Sequence, residues 1–199
     1  MTEGSIFEDK LKSLIEEFCV DMKCTDCNSE QVIQFYESLD LQQAMEYACD
    51  YGKVKIGSKW IENDHFKFFG KSMLIEAKER LLSVLPDFAN ADTFLDIYEI
   101  VRRTTLNIDG LKRMFYYDVS FRIAASRGRV YLPKDVFYQR GAEEGAIKLG
   151  IIREDQIDED RPYIPYKDFL KVSKNFELLK PYEIEDFLCL YKSKLDFAK

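Results

Sequence analysis

The sequence predicts an all-α fold: one compact multi-helix domain over residues 1–199, with at most a minor β-hairpin near residues 53–61. Three observations carry this. Apolar residues recur at three- and four-residue spacing along most of the chain, which is the period of a helix with one buried face. Helix start and stop signals fall between those stretches. Hydrophobic residues make up 46% of the chain and include 12 Tyr and 15 Phe, so it has the apolar surface to build a core.

The first helix is expected from about Ile6 to Met22, with Phe7, Leu11, Leu14, Ile15, Phe18 and Met22 on one face. The turn CTDCNS follows, and Ser29 is read as the cap of the next helix. Asp40 with Gln43 has the capping-box spacing ahead of Ala44, Met45 and Ala48, with Gly52 closing that helix. In KVKIGSKWI, Val54 and Ile56 alternate around Gly57 and Ser58, the pattern of a short hairpin. Helical periodicity resumes from Ser72 through Leu74, Ala77, Leu81 and Leu85 to Pro86, and again from Asp92 through Phe94, Ile97, Tyr98 and Val101.

Beyond LNIDGL, residues Met114, Tyr117, Phe121 and Ala124 predict another helix, ended by Gly128 in the left-handed conformation. VYLP reads as an extended connector. Pro133 and Asp135 are expected to open a helix reaching Leu149, with Gly141 and Gly145 as unfavourable interior residues. The span EDQIDEDRPYIP reads as an acidic surface loop, and Pro181 begins a last helix carrying Ile184, Phe187, Leu188, Tyr191 and Leu195. The domain thus divides into acidic N-terminal helices (1–86), a basic region (91–150) and a C-terminal loop and helix (151–199).

No apolar run approaches the roughly 20 residues needed to cross a bilayer, and the acidic N-terminus lacks the basic head and apolar stretch of a secretory leader. No membrane association is expected. Cys19, Cys24, Cys27, Cys49 and Cys189 are an odd set without a dense framework, which places the chain in a reducing cytoplasm. Cys24 and Cys27 form C-x-x-C. With Cys19 and Cys49 the spacing is that of a plant-type [2Fe–2S] site, of a four-thiolate zinc site or of a redox pair, and equally of plain thiols. Cys19 and Cys49 fall on helical patterns rather than in a loop cradle, so no metal and no cofactor is expected. His65, the only histidine, reads as a loop residue, and the acids Glu183, Glu185 and Asp186 as a solvated helix face.

Charge is distributed unevenly. Between Val101 and Arg140 stand nine basic residues (Arg102, Arg103, Lys112, Arg113, Arg122, Arg127, Arg129, Lys134 and Arg140) against Asp109, Asp118 and Asp135, a local +6 in a chain whose formal total is −7. Phe115, Tyr116, Tyr117, Phe121, Tyr131, Phe137 and Tyr138 lie among them. Clustered arginines suit bidentate contact with phosphate. The same charges suit pairing with the protein's own acidic helices. A third reading makes the aromatics of residues 115–138 a protein interface, with a protein partner or a homo-oligomer as its consequence.

Helix, glycine-bearing loop and helix over residues 92–124 resemble the helix-hairpin-helix element of DNA-binding proteins, within a resemblance that extends over about residues 92–141. That likeness implies backbone N–H groups and the positive end of the second helix set against a phosphate. Here Gly110 stands alone, with Ile108 and Lys112 at the two places for the family's second glycine. The resemblance implies nucleic acid as partner and Arg102, Arg103, Gly110, Lys112, Arg113, Arg127 and Arg129 as contacts. GRVYLPKDVFYQR further resembles the base-excision glycosylase branch, in which a catalytic Asp follows the hairpin after a short connector. That likeness implies Asp135 as the catalytic residue of an alternative, enzymatic reading. A helix-opening acid favoured by the macrodipole is the other reading of Asp135. The expectation is a non-enzymatic binding protein, with the glycosylase and the interaction scaffold as alternatives.

Overall fold

The computed structural model describes residues 3–25, 27–158 and 161–196. Among them are ten α-helices, two antiparallel strand pairs and several 3-10 turns, the mostly helical architecture that the periodicity predicts. Two compact units are present. One comprises residues 27–133; the other joins residues 1–26 to 134–199 and is therefore discontinuous in sequence. The boundaries drawn from composition, near 86–91 and 150, coincide with neither.

In the discontinuous unit, α1 (Glu3–Cys24) buries Leu11, Ile15 and Phe18, with Phe7, Leu14 and Met22 half-buried on the same core. Phe18 meets the edges of Phe187 and Tyr191 of α10 (Pro181–Tyr191) at ring separations of 5.6 and 5.7 Å. Polar contacts fix the helix at both ends. The Glu8 carboxylate accepts from the Ser173 hydroxyl (2.6 Å) and the Asn175 amide (2.8 Å), and the Tyr191 hydroxyl donates to Asp21. Pro181 occupies the first turn of α10, where its missing N–H costs nothing.

Residues 133–149 differ from expectation. Instead of one long helix there is a strand, β3 (Val136–Phe137), and then a shorter helix, α8 (Arg140–Lys148). β3 pairs with β4 (Tyr163–Ile164), Val136 opposite Ile164 and Phe137 opposite Tyr163. The acidic stretch before β4 thus ends in a paired strand, and a helix that the sequence did not announce follows it, α9 (Tyr166–Val172). α8 lies against α10 through Gly141 and Gly145, so these glycines are where the two helices approach closely. The Tyr138 hydroxyl reaches the Arg161 carbonyl at 3.3 Å.

The second unit begins with α2 (Ser29–Glu37). Its cap is Asn28, not Ser29: the Asn28 side chain accepts from the Gln31 N–H, and the Gln31 side chain accepts from the Asn28 N–H. Asp40 and Gln43 make the predicted capping box on α3 (Leu41–Cys49), and Thr93 with Asp96 makes another on α6 (Phe94–Thr105). Between them come the hairpin β1 (Val54–Ile56) and β2 (Lys59–Ile61), a 3-10 turn over Asp64–Phe68, α4 (Lys71–Ser83) and α5 (Leu85–Ala89). Pro86 opens α5 rather than ending its predecessor.

The central element is α7 (Arg113–Arg127), against which α2, α3 and α6 pack. All eleven residues from Phe115 to Ala125 are buried, the polar Asp118, Ser120 and Arg122 included. A helix enclosed on every side has no polar face. Gly128 ends α7 at φ +106°, ψ 161°, an extended mirror-image conformation rather than the left-handed helical one, and VYLP begins as a 3-10 turn rather than an extended connector. Among the described residues, no helix is long and apolar enough to cross a membrane.

Candidate nucleic-acid interface

The basic segment is divided between the units at Pro133, so Lys134, Asp135 and Arg140 belong to a different body from the other seven cations. Within residues 27–133 most of the arginines have internal partners. Arg102 Nε lies 3.0 Å from Glu99, Arg103 Nη2 2.5 Å from Asp87, and Arg129 grips Glu30 with two nitrogens (3.0 and 2.5 Å) while its Nε meets Glu37 at 3.1 Å. The Arg129 hydrogen bond holds the Glu30 carboxyl below its ordinary range. Arg127 donates to the carbonyls of Ala91 and Ala89, and its guanidinium lies 4.0 Å from the centre of the Tyr131 ring. This segment largely pairs with the protein's own acids and carbonyls.

At the α6–α7 connection Ile108 and Leu111 are buried and pin the loop, while Leu106, Lys112 and the Asp109–Gly110 tip are exposed. Gly110 has φ +90°. An added Cβ there would stand 2.4 Å from Met73 Cε, so the space that glycine frees is taken up by a methyl group of α4. Lys112 is the N-cap residue of α7 and makes no side-chain cap, so the first N–H groups of a 15-residue helix start beside Lys112 and Arg113. Burial, reinforced by Glu99, pushes the Tyr98 phenol well above its ordinary range against the opposing pull of Arg113 and Arg102.

The aromatics expected as a protein interface are core residues. Phe115, Tyr116, Tyr117, Phe121, Phe137 and Tyr138 are all buried, and only Tyr131 among the seven is half-exposed. Asp135 precedes a strand instead of opening a helix, and its Oδ1 accepts the Tyr166 N–H at 3.1 Å, capping α9 from outside. That placement supplies a structural role for the carboxylate and removes the helix-opening geometry on which the glycosylase likeness rested.

A polar centre inside the second unit gave no sign in the sequence. His65 belongs to the 3-10 turn after the hairpin, not to an open loop, and its Nδ1 lies 2.9 Å from Asp118 Oδ2. Arg122, one turn on from Asp118, places Nη1 2.7 Å from the Asp118 carbonyl and 3.6 Å from its Oδ1. The guanidinium lies 5.9 Å from the centre of the Tyr36 ring and 5.6 Å from that of Phe66. Gly52, at φ +57°, follows Tyr51 at φ +56°, a left-handed conformation uncommon outside glycine, and an added Cβ on Gly52 would stand 3.1 Å from the Arg122 guanidinium. Asp118 is held between His65 and Arg122, which makes Asp118 and Arg122 a buried ion pair with the half-exposed His65 at its edge.

These features define a mostly helical protein in two compact units, with two small antiparallel strand pairs. No family model matches the chain, and neither a curated protein nor a solved structure matches it.

Among the described residues, no three His, Cys, Asp or Glu side chains are placed to hold a metal ion. Burial pushes the Cys49 thiol up to about 12 and the Cys189 thiol up to about 11, and it also raises Cys27 against the opposing pull of Arg122. Cys24 is exposed. At about pH 8, a chromogenic disulfide reagent is expected to label Cys24 first and Cys49 only on unfolding. Equal rates for Cys24 and Cys49, read by peptide mapping, would contradict the buried setting of Cys49.

Proposed function

We propose that the chain is a non-enzymatic binding protein that contacts the phosphate backbone of nucleic acid with the α6–α7 connection. The observation that carries this reading is the start of α7: a long helix without a side-chain cap, entered through a positive-φ glycine, with Lys112 and Arg113 at its first positions. Such an end attracts anions through the direction of its first N–H groups and its dipole. Arg102 and Arg103 in the last turn of α6 extend the cationic edge. Their pairs with Glu99 and Asp87 are at least one-third exposed on both sides, and exposed pairs are worth only about 0–1 kcal/mol, so a phosphate competes with them readily. Arg127 and Arg129 leave the contact set, because the first caps carbonyls and the second is held by two carboxylates.

The test is fluorescence anisotropy of labelled short duplex and single-stranded DNA at about 50 mM salt. The expected result is binding that weakens steeply towards about 200 mM, with a lower affinity and a shallower salt slope in the double variant Arg103→Glu/Lys112→Glu. Absence of salt-sensitive binding, or an unchanged affinity in that variant, would refute the proposal.

A further inference from the structure

We infer that the β1–β2 hairpin is a stacking platform for single-stranded nucleic acid, built on Trp60. The inference rests on the nucleic-acid reading above and names the form of the polymer. Trp60 is the only tryptophan in the chain, yet it is 44% exposed on a three-residue strand. Its indole is backed by Tyr47, at a ring separation of 5.2 Å and a tilt of 30°, and by the edge of Phe35 at 5.8 Å. These rings hold the indole in place while leaving part of it open to solvent.

Charge complements the ring. Residues 53–61 carry Lys53, Lys55 and Lys59 in a chain of net charge −7; Lys53 is engaged by Asp50 (2.9 Å) and Glu62 (3.9 Å), so the charge offered to a ligand is that of Lys55 and Lys59, both exposed. Lys55 stands directly opposite Trp60 in the antiparallel register, with its ammonium 5.7 Å from the ring centre, and the tip residues Gly57, Ser58 and Lys59 are exposed. An aromatic face beside lysines that track a phosphate chain is the pairing by which single strands are held, one base on the ring and the backbone along the cations. A duplex offers no unstacked base face to the indole. An acidic peptide would use the lysines but not the ring. A purely structural Lys55–Trp60 cross-strand pair predicts no response of the ring to any polymer.

Because Trp60 is alone, its emission reports this one place. The full chain is titrated at about 50 mM salt with an oligothymidylate of about ten nucleotides, with a short duplex and with polyglutamate, while anisotropy of the labelled strand is followed in parallel. Oligothymidylate is expected to quench Trp60 to saturation, with duplex and polyglutamate having little effect. Trp60→Ala should bind the oligothymidylate about 5- to 100-fold more weakly, with Trp60→Phe retaining most of the affinity through its flat ring. Lys55→Gln, at an exposed position, should lower the salt slope by about one.

Three results would overturn the inference: strand binding by anisotropy with Trp60 emission unchanged, equal affinities for Trp60→Ala and the native chain, or equal quenching by polyglutamate, which would mark a surface that reads charge alone. If Arg103→Glu/Lys112→Glu leaves both binding and quenching intact, the α6–α7 contact fails while the platform stands. If no oligonucleotide binds at all, both fail.

Discussion

Replacing Asp118 with Ala is expected to lower the stability of the 27–133 unit by roughly 3–5 kcal/mol, the range for breaking a buried ion pair from one side. The Asp118 side chain is 10% exposed and that of Arg122 5%, and α7, which carries both, is the helix around which this unit is built. Without the carboxylate, the guanidinium would remain buried near the Tyr36 and Phe66 rings with no counter-ion, and its Nε already has no hydrogen-bond partner among the described residues. His65 would lose the acceptor at its Nδ1 as well. The double variant Asp118→Ala/Arg122→Met removes both charges and should recover most of the loss, since an apolar replacement of the whole pair is often neutral. Urea unfolding of the native chain and the two variants decides the matter. A loss under about 1 kcal/mol in Asp118→Ala would mean that water or backbone dipoles, not the carboxylate, compensate Arg122.

Legibility followed the range of the forces involved. Caps and periods are local, so α1, the Asp40–Gln43 box, the 53–61 hairpin and the proline start of α10 could be read from neighbouring residues. The cap of α2 is Asn28 where Ser29 is expected, a shift of one residue between two adjacent residues that both cap well. The long helix expected from Pro133 failed because β3 exists only by pairing with β4, 27 residues away along the chain, and no local pattern reports that partner. The discontinuous unit has the same cause: the core around Phe18, Phe187 and Tyr191 joins the two ends of the chain.

At the site, composition located the cations but not their engagements. Arg129 and Glu30 are 99 residues apart, and Arg127 caps carbonyls 36 and 38 residues earlier. The burial of the aromatics interleaved with these arginines is hidden in the sequence for a related reason. A helix buried on all sides has no amphipathic signature, so the Phe and Tyr residues of α7 look like a surface stripe until their neighbours are known. Positive charge along a sequence therefore overstates positive charge on a surface: Arg122 is buried, Arg127 is held by carbonyls and Arg129 by carboxylates.

The glycines of α8 carry a second large effect whose sign runs against helix propensity. In an exposed helix Gly→Ala gains up to about 1 kcal/mol. At Gly145 the added Cβ would stand 2.6 Å from the Leu188 carbonyl oxygen and 3.1 Å from its carbonyl carbon, both backbone atoms of α10 that cannot rotate away. α8 and α10 would have to separate, disturbing Ala142, Ala146, Phe187 and Leu188 in the same core, at a cost of about 1–3 kcal/mol. Gly141 is an internal control. Its Cβ would meet Cys189 Sγ at 2.5 Å, the end of a side chain able to turn aside, with the nearest backbone atom 3.6 Å away. Gly145→Ala should therefore unfold at clearly lower urea than the native chain, and Gly141→Ala should fall between the two. Stabilisation by Gly145→Ala would show that α8 gains more from helix propensity than it loses in contact with α10. The further variant Gly141→Ala/Cys189→Ala, which removes the opposing sulfur, should regain most of whatever Gly141→Ala loses.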